Sequence, residues 1–254
     1  MTSAITSRPA RLKQTLANTW LYPRYIGTVY MRDALGRASE YARGVMLDIG
    51  CGLRPYEEIF APRVTRYIGM DYPVTLDKAR MDVMADALRL PVSDESVDTV
   101  LATELLEHLP DPIQFIRQVA RVLRSSGVFI FSVPFMEPLH EEPRDFYRFT
   151  PYSLRLMLEH EGFAVRHVWP KGGWWSVVLG SFFSQGLYDF ANPINRQDGT
   201  RSDGPARFFV LPFCAAAQWA GYTLDRLFKE SRYTLGYVVV AALENRRGQS
   251  EAAS

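Results

Sequence analysis

The chain has 254 residues, 47% of them apolar, and a formal charge of +1. That length suits one large domain or a domain with a subdomain, and the balanced charge argues against nucleic acid as a partner. Two cysteines, Cys51 and Cys214, lie far apart and without metal-ligand spacing, so neither a disulfide framework nor a metal centre is expected, and a reduced, cytoplasmic setting is the natural reading.

In chain order, Met1–Gln14 is polar and carries Arg8, Arg11 and Lys13 with no apolar run behind them, unlike a secretory signal. An aromatic stretch follows, with Trp20, Tyr22, Tyr25 and Tyr30, interrupted by Pro23. Ile26–Tyr41 reads as an amphipathic helix ending before Gly44. Val45–Ile49 is a short apolar run broken only by Asp48, as in a strand buried on both faces of a parallel sheet. Gly50 and Gly52 follow it directly, allowing a tight turn and a ligand lying close to the backbone. The next strand, Tyr67–Asp71, ends in an acid about 20 residues past that turn, the spacing at which a carboxylate holds ribose hydroxyls. An adenosine-containing ligand on a doubly wound sheet is expected. A dinucleotide is disfavoured, because Pro55 stands where the third glycine of the fingerprint belongs.

Leu47-Asp48-Ile49-Gly50-Cys51-Gly52 resembles motif I of the class I S-adenosylmethionine-dependent methyltransferases. The resemblance implies that the glycine turn faces the methionine part of that cofactor. The family often has a further glycine where Arg54 stands here. An N-terminal helix, residues 1–40, often lids the cofactor in such enzymes; a helix simply packed on the sheet is an equal reading. A third strand fits Arg80–Met84. After it, Asp86 and Ala87 match the family's adenine-contacting pair, although Asp86 also suits a turn cap. Strand four is Ser96–Thr103. Glu104-Leu105-Leu106-Glu107-His108-Leu109-Pro110-Asp111-Pro112 resembles the Glu-x-x-Glu-His-x-x-Asp-Pro stretch of the type 11 branch, placing Thr103 and Glu104 at the cofactor and His108 toward methyl group or acceptor. Pro112–Leu123 has helical periodicity stopped by Gly127, and Val128–Val133 reads as strand five.

The next stretch, Pro138–Pro151, lies where a class I methyltransferase receives its acceptor, and its His-Glu-x-Pro-x-Asp-Phe-Tyr-Arg-Phe-Thr-Pro string is similar to bacterial methyltransferases found alongside glycan and lipid-glycan pathways. His140 is the candidate general base, since imidazole titrates near neutrality. Asp145 or Glu141 would orient it, Tyr147 would wall the acceptor or sulfonium, and Arg144 and Arg148 would pair with an anionic group on the substrate. The bland alternative is a structural loop clamped by an Arg–Asp pair. His140, Glu141 and Asp145 match no closed metal motif.

Thr150 is expected to cap a helix over Tyr152–Glu161, followed by strand six, Phe163–Trp169, and a last strand, Leu235–Leu243. Between them lies an insertion, residues 171–233, with two uncharged aromatic segments, Gly172–Tyr188 and Phe208–Leu224, around a polar loop. A lid over an apolar acceptor, a peripheral membrane contact through 172–224 and a helical subdomain or dimer interface stand side by side. The expected organisation is thus a lid (1–40), a cofactor-binding core (41–170), the insertion (171–233), the last core strand (234–247) and a disordered tail (248–254). The expected fold is a Rossmann-like α/β sheet of seven mostly parallel strands, with an antiparallel last strand and a helical insertion before it. The resemblance implies methyl transfer from S-adenosylmethionine to O or N of a small-molecule, glycan or lipid-linked acceptor. A nucleotide-dependent oxidoreductase and a non-catalytic cofactor-binding or membrane-scaffolding protein remain as alternatives.

Overall fold

The computed structural model describes residues 19–72, 80–193, 206–230 and 232–244. The expected N-terminal tail, most of the polar loop before residue 206 and the C-terminal tail lie outside them. Two compact units emerge, one comprising Arg32–Phe135, Leu139–Pro170 and Gly236–Ser254, the other Met1–Met31, Met136–Pro138 and Lys171–Leu235.

The larger unit is built on a seven-stranded sheet. Its strands are β1 (Val45–Ile49), β2 (Arg66–Asp71), β3 (Val83–Met84), β4 (Val97–Thr103), β5 (Leu123–Pro134), β6 (Phe163–Pro170) and β7 (Gly236–Leu243). The order is β3-β2-β1-β4-β5-β7-β6. The first five strands pair in parallel, and β7 runs antiparallel to both β5 and β6. This is the expected fold class, with the insertion immediately before β7. Central strands are covered on both faces, which is why β1 and β5 carry long apolar runs. Phe115, Phe129, Phe131 and Phe163 fill the core with no solvent exposure to speak of, and Phe129 and Phe131 stack at 4.5 Å. After β1 the chain goes outward to β2 and β3, then returns to the other side of β1 as β4. The crevice beyond the carboxyl ends of β1 and β4 is therefore the topological switch point, where such sheets bind ligands.

Helix α1 is Tyr25–Ala38, and a single helical turn, α2 (Glu57–Phe60), follows the glycine turn. Helix α3 (Pro112–Val122) starts as its sequence dictates: Asp111 accepts the Gln114 amide and Pro112 takes the first position. Helix α4 (Pro151–His160) has a full capping box between Thr150 and Ser153. Two boundaries differ from expectation. Strand β3 is shorter, because the Arg80 amide goes to the Gly52 carbonyl (2.8 Å) instead of the ladder. Strand β5 begins earlier, at Leu123. The Arg121 and Val122 carbonyls accept the Glu95 and Ser96 amides, which ends α3 before Gly127 is reached.

In the smaller unit, a π-helical segment (Ser176–Gln185) leads into α5 (Gly186–Ala191), and α6 spans Ala206–Leu227. Helix α6 packs against the π-helical segment with its small and polar residues inward. Gly221 passes so close that a Cβ there would lie 2.9 Å from the Trp175 carbonyl oxygen. Buried Gln218 accepts the Ile26 amide (3.0 Å) and donates to the Trp20 and Tyr22 carbonyls. Asp225 accepts the amides of Gly173, Trp175 and Ser176 (2.9, 2.9 and 3.1 Å), capping the start of the π-helical segment. The face of α6 turned to solvent carries Phe209, Phe213 and Trp219, each more than 60% exposed. Among the described residues, no helix is long and apolar enough to cross a membrane.

Candidate functional site

The turn after β1 has the left-handed backbone its glycines permit: φ is +72° at Gly50 and +49° at Gly52. The amides of Gly50 and Cys51 both donate to the Met70 carbonyl (2.8 and 3.1 Å), tying the turn to β2. A Cβ at Gly50 would press on Leu105 at 3.2 Å. Arg54, where relatives of motif I often have glycine, keeps a positive φ of +56°. Its guanidinium turns back to Asp82 (2.6 Å), over Gly69, where the lack of a side chain makes room. The turn thus holds its glycine-like path although the residue has changed.

Asp71 closes the turn. One carboxylate oxygen accepts the Gly52 amide at 2.8 Å and the other the Tyr72 amide at 2.7 Å. Asp48 lies behind the turn, 3% exposed, bonded by the Tyr67 hydroxyl at one oxygen and with no hydrogen-bond partner at the other. Burial pushes its carboxyl up to about 7. Burial likewise pushes the Cys51 thiol up to about 12. An unfolded aspartate titrates near ~4, so between about pH 4 and pH 7 the folded chain holds a proton that the unfolded chain has lost. Stability should therefore fall as pH rises through that window, and Asp48→Asn should flatten the fall. Thermal melting of both proteins from pH 4 to 8 checks this; parallel profiles would show that Asp48 is ionised in the fold.

A cavity of 440 Å³ opens beside the turn, within the range usual for small-molecule sites. Gly50, Gly52, Asp71 and Tyr72 line one side, Asp86, Ala87 and Leu88 another, and Glu104, Leu105, His108, Glu141 and Arg144 the rest. Asp86 accepts the Leu88 amide at 2.8 Å, so it caps its own turn while facing the cavity. Glu104 sits at a positive φ of +49°, fixed by its amide to Ser132 and by the Ser132 hydroxyl donating to its carboxylate (2.7 Å). Four carboxylates against one guanidinium make the lining acidic.

The loop from Leu139 to Thr150 is fastened to the turn after β4. The Phe146 amide donates to the Glu107 carbonyl (2.9 Å), the Tyr147 hydroxyl to the Pro110 carbonyl (3.1 Å), and His108 Nδ1 meets the Arg144 carbonyl oxygen (2.8 Å). This brings His108 and His140 together, with ring centroids 4.9 Å apart in an edge-to-face arrangement. Asp145 accepts the His140 amide (3.0 Å) and lies 3.5 Å from His140 Nδ1. Its carboxylate is also held by Arg148 through two bonds, 2.5 and 2.8 Å, and that guanidinium holds it down at about 2.

Of the residues that the sequence singles out, Gly50, Gly52, Asp71, Asp86, Ala87, Glu104, His108 and Arg144 meet around one cavity. Asp48, Cys51, Thr103, His140, Asp145, Tyr147 and Arg148 are not among the residues lining it. Arg148 is engaged with Asp145, as in the Arg–Asp clamp. Glu141, expected from the sequence to help orient His140, also lines the cavity; Tyr72, Leu88 and Leu105 are among the further lining residues that motif and spacing do not assign to the cofactor or acceptor site. Tyr72 and Leu88 each lie one residue beyond an assigned position, and that adjacency is a usable signal. Glu107 belongs to the Glu-x-x-Glu-His-x-x-Asp-Pro stretch that the sequence singles out, with no role assigned to it there, and it is fully buried.

Residues 47–131 match the family model described as a methyltransferase domain. A probable S-adenosylmethionine-dependent methyltransferase of Mycobacterium tuberculosis strain H37Rv is 35% identical over 148 residues, 52% of either chain. One from Mycolicibacterium smegmatis is 38% identical over 96 residues, covering 35% of this chain and 37% of its own. The chain thus spans about half the length, or less, of these curated relatives. In fold it is similar to the [4+2]-cyclase SpnF, with a TM-score of 0.56 at 18% identity, covering 85% of this chain and 81% of that one. A cyclase on the same fold shows that the fold alone does not fix the reaction. The family match and the curated relatives go further than the fold: over residues 47–131 the chain matches a methyltransferase domain of the type 11 family, and the curated relatives similar to it are described as probable S-adenosylmethionine-dependent methyltransferases.

Proposed function

We propose that this protein transfers a methyl group from S-adenosylmethionine to an oxygen or nitrogen of a lipid-linked or otherwise apolar acceptor. The observation that carries the methyl-transfer reading is the cavity joining the glycine turn, Asp71 and Asp86 to His108. The residues fit the cofactor: Cβ-free Gly50 and Gly52 leave room along the backbone, and the acidic lining suits a cationic ligand. In this reading Asp71 holds the ribose hydroxyls, Asp86 and Ala87 meet the adenine, and Gly50, Gly52 and Glu104 flank the methionine part. Asp48, Cys51 and Thr103 support the turn and strand end from behind. When bound, the cofactor supplies a methyl carbon activated by its positive sulfur.

The chain's own work is to hold the acceptor in line with that carbon, exclude water and take the acceptor's proton. The cluster of His108, His140 and Glu107 is placed to handle that proton, with Asp145 holding His140. Arg144, facing the cavity, suits an anionic group on the acceptor, and Tyr147 keeps the loop in place through Pro110. Support for an apolar or lipid-linked acceptor comes from the outward aromatic face of α6, the kind of surface that seats at a lipid interface.

The test is transfer of labelled methyl from S-adenosylmethionine into a bacterial lipid extract, beside calorimetric titration of the cofactor. His140→Ala is expected to slow turnover by about 10²–10⁴-fold with cofactor affinity unchanged. Normal turnover in that variant would remove His140 from the chemistry. Binding of NADH, but of neither S-adenosylmethionine nor S-adenosylhomocysteine, would overturn the methyltransferase reading.

A further inference from the structure

We propose that Glu107, His108 and His140 form a binding site for one divalent transition-metal ion, with Zn²⁺ the ion its donors suit best. One ligand atom from each of the three residues lies within 4.8 Å of the others. Glu107 Oε1 is 3.7 Å from His108 Nε2 and 3.9 Å from His140 Nε2. These separations exceed a direct hydrogen bond. They are a few tenths of an ångström wider than the ~3.4 Å between tetrahedral donors on an ion with bonds of about 2.0–2.1 Å, a gap that small side-chain rotations close.

The surroundings fix which nitrogens are available. His108 Nδ1 faces the Arg144 carbonyl oxygen at 2.8 Å, and a carbonyl only accepts, so the ring proton sits on Nδ1 and the lone pair on Nε2. His140 Nδ1 faces the Asp145 carboxylate at 3.5 Å, while Nε2 lies on the side of Glu107 Oε1 at 3.9 Å. Both Nε2 atoms lie within 4 Å of Glu107 Oε1. Imidazole nitrogens backed by a carbonyl and a carboxylate are how metal-binding histidines are usually held. Two histidines and one glutamate are a donor set of catalytic zinc sites, which leave a position open. His108 also lines the cavity, so that position lies at the cavity's edge.

This deepens the methyltransferase reading and rests on it only for the ion's purpose: with the ion bound, Glu107, His108 and His140 would serve as its ligands instead of taking the proton directly, and the ion would position an acceptor oxygen and make it more acidic, its proton passing to water. The binding claim stands by itself. The sequence hides the site because its ligands come from two segments over 30 residues apart, and neither has a metal-binding spacing of its own.

The test uses the full chain, stripped with chelator and titrated with Zn²⁺ and, as a visible probe, Co²⁺. One equivalent should bind, and Co²⁺ should show the intense visible bands of a four- or five-coordinate ion. His108→Ala and His140→Ala should each weaken binding by at least about 100-fold. His160→Ala, at an exposed histidine away from the cluster, should bind as the parent does. No stoichiometric binding by the parent overturns the proposal, as does binding that survives both substitutions. S-adenosylmethionine titration of the same samples separates the two readings. Cofactor binding without metal sinks only the metal site, and metal without cofactor sinks only the methyltransferase reading.

Discussion

Asp71→Ala is expected to weaken S-adenosylmethionine binding by about 100-fold or more. Hydrogen bonds to a charged group contribute about 1.5–3 kcal/mol each, and a ribose offers two hydroxyls. The side chain has a second task, because it already accepts the Gly52 and Tyr72 amides. Its loss therefore loosens the turn as well as removing the proposed sugar contact. A 2′-deoxy analogue of the cofactor separates the two. It should bind the parent more weakly than the natural cofactor does, while Asp71→Ala should bind both equally, the mark of a coupled pair in a double-mutant cycle. Affinity unchanged in the variant would remove the ribose role. A preference for the 2′-hydroxyl that persists without Asp71 would move that contact to another residue.

Asp71 is legible from sequence alone, and the reason is geometric. The distance along the chain from a glycine turn to the end of the next parallel strand is set by one crossover, so Asp71 announces itself by spacing. The apolar runs of β1, β4 and β7 and the Thr150 cap are legible for equally local reasons. What stays hidden depends on long-range placement. The loop's bonds to the turn after β4 put His108 in the cavity wall and bring the His140 ring to 4.9 Å from it, a pairing that the sequence, which treats the two histidines separately, does not announce. The burial of Glu107 follows from the same docking. The start of β5 is hidden because the last carbonyls of α3 are taken by the lead-in to β4, a pairing that no local signal encodes.

The orientation of α6 shows the same limit, and it leads to the other large effect. Its sequence is uncharged and aromatic from Phe208 to Leu224, and composition alone leaves open which residues turn inward. Close packing decides that. Gly221 at the Trp175 carbonyl, Gln218 at the backbone of Trp20, Tyr22 and Ile26, and Asp225 at three amides require their own face inward. Phe209, Phe213 and Trp219 are then left facing solvent, an inversion of the usual amphipathic helix. An aromatic face that the fold turns outward calls for an apolar cover.

If that cover is a lipid surface, the protein should sediment with phosphatidylcholine–phosphatidylglycerol vesicles, and replacing Phe209, Phe213 and Trp219 together by Ser should lower partitioning by about 100-fold or more. Each large apolar side chain contributes about 1.5–3 kcal/mol when fully buried, so even partial insertion of three is enough. None of the three supports the α6 interior, so the triple variant should melt with the parent. Parent protein that ignores vesicles yet forms a dimer, with the variant monomeric, would assign the face to a second copy of the chain and leave the lipid-linked acceptor without its main support.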